Sequence, residues 1–118
     1  MKSDLPKRTF AFSVRIVRLC QALERHTGVA RTLGRQLIRS GTSIGANVEE
    51  GQASQSRADF RMKYAIACKE ARETHYWLRL LNETGMLPAE QLVPITQECD
   101  ELIAILTTII KKSRQADN

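Results

Sequence analysis

Residues 40–51 read SGTSIGANVEEG, and whether they form a loop or the middle of a helix decides the architecture. Three glycines, two serines, a threonine and an asparagine suggest a turn or a phosphate-cradling loop. Phase argues otherwise. Leu33, Leu37, Ile44 and Val48 fall on one face of a continuous helix, with Gly41 beside them. The stretch therefore predicts one helix over about 30–52. Its glycines each cost about 1 kcal/mol relative to alanine, and packing must outweigh that cost. Gly41 and Gly45, one turn apart, let a neighbouring backbone approach. Ser43 and Asn47, also a turn apart, flank the same face and are expected to bond across a helix interface, since each buried polar group without a partner costs about 1–3 kcal/mol.

Working outward, helical spacing recurs three more times, and no segment alternates with the period of a strand. A first helix over about 7–25 carries Phe12, Ile16, Leu19, Cys20 and Leu23 as its core stripe, with a second apolar face at Phe10, Val14 and Val17. Gly28 is expected to end it in the left-handed region. A third helix, about 56–84, begins where Ser56 and Asp59 resemble a capping box. Its stripe is Phe60, Tyr64, Ala67, Ala71, Thr74, Leu78 and Leu81, with Met62, Ile66, Tyr76, Trp77 and Leu80 outside it. Gly85 supplies the stop. A fourth helix over about 89–114 carries Leu92, Ile95, Cys99, Leu102, Leu106 and Ile109, with Ile103, Ile105 and Ile110 in excess. Pro94 restarts or kinks it.

Four amphipathic helices joined by short loops predict an all-α, antiparallel up-down-up-down four-helix bundle. A length of 118 residues suits one domain, 1–118. A bundle that stays monomeric needs one apolar stripe per helix, so the second stripes predict burial against another subunit.

The start, MKSDLPKR, has no apolar leader core, and no apolar run approaches a membrane span. Cys20, Cys68 and Cys99 are scattered and odd in number, which suits reduced thiols and a cytoplasmic protein rather than a disulfide framework or zinc site. The net charge of +5 is uneven: residues 1–47 carry +7 and residues 48–118 carry −2. Such asymmetry favours polyanions or acidic patches as partners.

No P-loop, G-x-G-x-x-G, H-E-x-x-H or G-x-S-x-G motif occurs. The sequence offers no catalytic residues, no cofactor site and no metal site. His75 follows Cys68 by two turns, too far for one ion. Glu49, Glu50, Glu70 and Glu73 lack the Glu-x-x-His pairs of a carboxylate-bridged metal bundle and suit ion pairing, through Lys69 to Glu73 and Asp59 to Lys63. Glu50 is expected to accept from Arg61 or Arg72. Arg31, Arg35 and Arg39 repel one another at i, i+4 and i+8, and a partner, or Glu49 and Glu50, would reward them. Together with Arg8, Arg15 and Arg18 they are the candidate nucleic-acid contacts, because phosphate binding depends on Lys and Arg density.

SIGANVEEG at 43–51, followed by QSRADFRMKYAIACKEARETHYWLRLL at 55–81, resembles the four-helix-bundle family encoded in the intervening sequences of bacterial 23S ribosomal RNA genes, also named S23-type. The resemblance spans essentially the whole chain. It is most specific at Ser43, Ile44, Asn47, Glu50, Gly51, Phe60, Ala67, Glu70, Ala71 and Glu73. It implies a bundle assembling into a five-fold ring, without enzymatic activity, and is similar to the accessory variability protein of diversity-generating retroelements, a basic pentamer associated with nucleic acid and a reverse transcriptase. The function expected from this is a non-enzymatic homo-oligomer, a pentamer, with RNA or DNA, a ribonucleoprotein, a reverse transcriptase or another protein as partner. The alternative is a protein-interaction scaffold whose basic face docks an acidic protein.

Overall fold

A computed structural model of the chain describes residues 4–116. Four helices follow in order: α1 (Leu5–Glu24), α2 (Val29–Gln52), α3 (Arg57–Glu83) and α4 (Ala89–Ala116), with no strand among the described residues. Successive helices pack against each other, and α1 meets α4 to close an up-down-up-down bundle. The α1/α4 seam is the slightest of the four. Helix α2 runs unbroken through residues 40–51, as phase predicts.

The ends follow local chemistry. Pro6 occupies the first turn of α1, where a missing N–H has no helical partner to lose. Gly28 has a φ of +66°, but it stands at the start of α2 and not at the end of α1, with its carbonyl accepting from the Thr32 amide at 3.2 Å. Ser56 Oγ accepts from the Asp59 amide at 3.1 Å and caps α3. Gly85, at φ +68°, lets the Met86 amide return to the Leu81 carbonyl at 3.2 Å and closes α3. Pro94 lies inside α4, which continues past it.

The core takes the expected stripes with small displacements. Phe12, Ile16, Leu23, Leu37, Ile44, Val48, Tyr64, Leu78, Leu81, Leu92, Leu102 and Leu106 are fully buried. Leu33 is only half-buried beside a buried Gly34, and Phe60 is half-buried, stacked on Tyr64 with ring centroids 4.2 Å apart. At the far end of α4 the buried residue is Ile110 rather than Ile109. A straight helix drifts by about 20° per heptad against a strict seven-residue repeat, so the buried position moves along by one.

Helix α2 approaches both neighbours at its glycines. A Cβ on Gly41 would stand 2.8 Å from Ile16 Cγ2, and one on Gly45 would stand 3.2 Å from the Thr9 carbonyl oxygen of α1. On the other side, a Cβ on Gly51 would stand 2.7 Å from the Tyr64 ring of α3. Ser43 and Asn47 do not bridge helices as expected: Ser43 Oγ donates to the Arg39 carbonyl at 2.7 Å, and Asn47 Nδ2 donates to the Ser43 carbonyl at 2.9 Å. A buried bond across the α2/α3 seam belongs instead to Ser40, whose Oγ accepts from Thr74 Oγ1 at 2.9 Å. Ser43 lies about 60° further round the helix than Ser40, at the rim, where its own helix offers the nearer carbonyl.

Long-range ion pairs tie the seams. Glu50 pairs with Lys63 at 2.9 Å and not with Arg61 or Arg72; Arg61 instead reaches the carbonyl and hydroxyl of Ser113 at 3.4 Å. Glu73 likewise pairs with Arg39 across the seam, so neither intrahelical pair expected on α3 forms. Across the α1/α4 seam, Arg8 holds Glu98 through two bonds of 2.7 and 2.8 Å and Glu101 through one of 2.5 Å. The Arg8 guanidinium holds the Glu98 carboxyl below its ordinary value of 4.5.

Two outcomes are expected. Gly51→Ala destabilises the fold by about 1–3 kcal/mol in urea unfolding, despite alanine's better helix propensity, because the buried Tyr64 ring has to move; a neutral or stabilising result contradicts the close approach. Because Glu98 is depressed in the folded state, its stabilisation is complete above the ordinary carboxylate range and fades as pH falls below 4.5 through the folded value. Glu98→Gln therefore lowers the urea midpoint at pH 7, and the gap to the parent protein narrows on acidification. Parallel pH profiles for the two proteins would contradict it.

Candidate functional site

The six arginines singled out in the sequence do not share a face. Three spend their charge inside the chain: Arg8 on Glu98 and Glu101, Arg31 on Glu24 at 3.1 Å, and Arg39 on Glu70 and Glu73. The carboxylates that reward Arg31 and Arg39 are thus not Glu49 and Glu50. Arg15, Arg18 and Arg35 are exposed and make no ion pair among the described residues. The charge of Arg15 still reaches Glu98, as the least of the contributions that lower that carboxyl.

Two of the unpaired arginines flank a cleft. Between α1 and α4, beyond the Arg8 clamp, Arg15, Arg18, Leu19, Ala22, Gln91 and Ile95 line a space of about 370 Å³. Leu19 and Ile95 belong to the buried core and form its apolar floor. Arg35 lies elsewhere, with Val17 and Ile38 at a smaller groove of about 160 Å³ between α1 and α2.

The outer face of α1 and α2 exposes several large apolar side chains. Phe10 is 62 % exposed, Val17 37 % and Ile38 37 %, and Val14 between the first two is half-buried. Helical spacing on α1 puts Phe10, Val14 and Val17 in one row. On α3, Met62 and Tyr76 are exposed, with the Arg79 guanidinium 5.9 Å from the Tyr76 ring centre. The remaining second-stripe residues Ile66, Trp77, Leu80, Ile103 and Ile105 are half-buried, and Trp77, Ile103 and Ile105 pack against the core.

Most of the polar motif residues gather along the α2/α3 seam. Glu70 Oε1 is buried 3.5 Å from Arg39 Nη1, an ion pair without hydrogen-bond geometry. Glu73 accepts from Trp77 Nε1 at 3.1 Å and from Arg39. Glu50 on Lys63, Gly51 against Tyr64, and Glu70 and Glu73 on Arg39 tie α2 to α3, whereas Ser43 and Asn47 bond within α2.

The three thiols are buried and free. Burial pushes Cys20 up to about 11 and Cys99 up to about 12, so both stay protonated. His75 lies 4.0 Å from Asp100. Among the described residues no group of three or more His, Cys, Asp or Glu is placed to hold a metal ion, and no helix is long and apolar enough to cross a membrane. The partners of Arg8 and the cleft beside it were not legible in the sequence, because they depend on cross-helix register between segments some ninety residues apart.

No curated protein matches the chain. Its fold is closely shared by the crystal structure of a protein of unknown function from the S23 ribosomal protein family of Bacteroides thetaiotaomicron: the two are 43 % identical, with a TM-score of 0.84 over 91 % of this chain and 98 % of that one. The model of the 23S rRNA-intervening sequence protein family matches residues 1–108. With that match, the glycine-bearing second helix and the four-helix architecture, the chain belongs to the 23S rRNA-intervening sequence protein family.

Proposed function

We propose that the protein is a non-catalytic, homo-oligomeric scaffold of the cytoplasm that assembles through the outer face of α1 and α2 and docks a protein partner on its basic residues. The observation that carries this reading is the exposure of Phe10, Val17 and Ile38: Val17 and Ile38 share a groove between α1 and α2, Phe10 continues the row two turns away on α1, and such apolar surface marks an interaction face. The family resemblance makes a ring of five the expected assembly. Pairing of Arg8, Arg31 and Arg39 within the chain, and the scatter of Arg15, Arg18 and Arg35 around the bundle, favour a local acidic partner over a continuous phosphate track.

Nucleic-acid binding is the second reading, supported by the net charge of +5 and those three unpaired arginines. Assembly would multiply them around a ring and raise avidity without any new contact.

Light scattering on the full chain is expected to give a multiple of 13.3 kDa, and the double variant Phe10→Ser, Val17→Ser is expected to fall to the monomer mass while keeping its helical circular dichroism. A parent protein that runs as a monomer removes the assembly. For the second reading, single-stranded RNA is titrated across salt: Arg15→Gln, Arg18→Gln and Arg35→Gln should each reduce the salt slope by about one. Absence of binding at low salt refutes that reading and leaves the first standing.

A further inference from the structure

We propose that the cleft between α1 and α4 is a docking site for an acidic, aliphatic helix of a protein partner, one that presents two carboxylates a turn apart. This names the partner chemistry for the scaffold reading and rests on it.

The strongest support is how the same seam is closed one step away. Arg8 on α1 grips Glu98 and Glu101, two acids at i and i+3 of a single helix, with three bonds of 2.5–2.8 Å. That contact is a working example of α1 reading a Glu-x-x-Glu helix. Two turns further along α1, Arg15 repeats the position of Arg8 at i+7, and Arg18 follows one turn on. There α4 lines the space with Gln91 and Ile95, and Glu98, whose carboxyl feels the charge of Arg15, is held by Arg8 and forms no ion pair with Arg15. The arginines are left without ion pairs, and the seam opens into the cleft of about 370 Å³.

The rest of the lining selects among anions. The floor of Leu19, Ala22 and Ile95 is aliphatic. It offers no aromatic surface on which a base could stack, whereas one or two Leu or Ile side chains would fill it. Two guanidiniums at i and i+3 lie about 5–6 Å apart at their Cβ atoms, matching carboxylates one turn apart on an incoming helix. Paired guanidinium and carboxylate groups are the strong case among charged hydrogen bonds. An occupant in this cleft would supply to Arg15 and Arg18 what Glu98 and Glu101 supply to Arg8, and would complete the seam that the fold closes least.

The test is a fluorescence-anisotropy titration of the full chain with a labelled peptide of about 18 residues, long enough to hold helical structure, bearing Glu-x-x-Glu beside a Leu stripe. A scrambled peptide of the same composition serves as control. Saturable binding of the ordered peptide is expected, weakened about tenfold or more in Arg15→Gln/Arg18→Gln and in the cleft-filling Ala22→Trp. Arg79→Gln, on α3 and outside the cleft, should bind as the parent does. Circular dichroism confirms that each variant is folded. Equal affinity for both peptides, no saturable binding, or indifference to the Arg15 and Arg18 changes overturns the proposal. So does a single-stranded oligonucleotide that binds through these two arginines when the peptide does not.

Because the cleft lies within one subunit, the titration is repeated on Phe10→Ser/Val17→Ser. Peptide binding that persists there while assembly is lost separates the two claims. Assembly without peptide binding refutes the cleft alone.

Discussion

The bundle is organised around how closely α2 can lie against its neighbours. At Gly41 and Gly45 it meets the Ile16 side chain and the Thr9 backbone of α1, and at Gly51 it meets the ring of Tyr64 on α3. No side chain larger than hydrogen fits at these points without moving a buried group. The approach brings Ser40 within reach of Thr74 and sets the height at which Arg39 meets Glu70 and Glu73, and Glu50 meets Lys63. Helix propensity is given up for proximity, and proximity is what gives the polar groups their partners.

The charge follows from the same geometry. A chain whose first 47 residues carry +7 and whose remainder carries −2 could expose two oppositely charged ends. Folding instead threads the basic helices α1 and α2 between acids of α3 and α4, so that Arg8 and Arg39 are answered from the acidic half. Of the six arginines of α1 and α2 considered above, the three left without an ion pair each line a groove beside apolar side chains. That combination of an unpaired guanidinium and an aliphatic floor suits a protein segment better than a bare phosphate backbone.

The helices, their order and most of the core were legible in the sequence because they follow from periodicity, which is local. Even the least helical composition, at 40–51, was resolved by phase. What sequence missed are relations between helices. Ser43 and Asn47 looked like interface bonds since their spacing is right, yet at the rim their own backbone is the nearer acceptor, and the task fell to Ser40, one turn earlier. Ile110 replaced Ile109 through helical drift. The arginines formed one group along the chain but are scattered in space, since i, i+4 and i+8 positions drift around the helix by a fixed angle while neighbours on other helices come from register alone. The pairing of Arg8, and the cleft beside Arg15 and Arg18, required knowing which turn of α4 faces which turn of α1.

The three buried thiols divide the molecule in a way that its charges do not. Cys20 donates to the Gly34 carbonyl across α1/α2, Cys99 donates to the Ala71 carbonyl across α3/α4, and Cys68 lies 3.6 Å from Thr107 Oγ1 in that same seam. Cys99 has no exposed surface, and Cys20 and Cys68 keep only 7 % and 8 % of theirs, so reaction with a reagent in solution speeds up when the seam of each breathes. The chain thus carries intrinsic clocks, one on α1/α2 and two on α3/α4, whose alkylation rates convert into local opening free energies. A partner that settles over one seam would slow one clock and leave the others running, so the place of binding can be timed from within the protein before the partner itself is known.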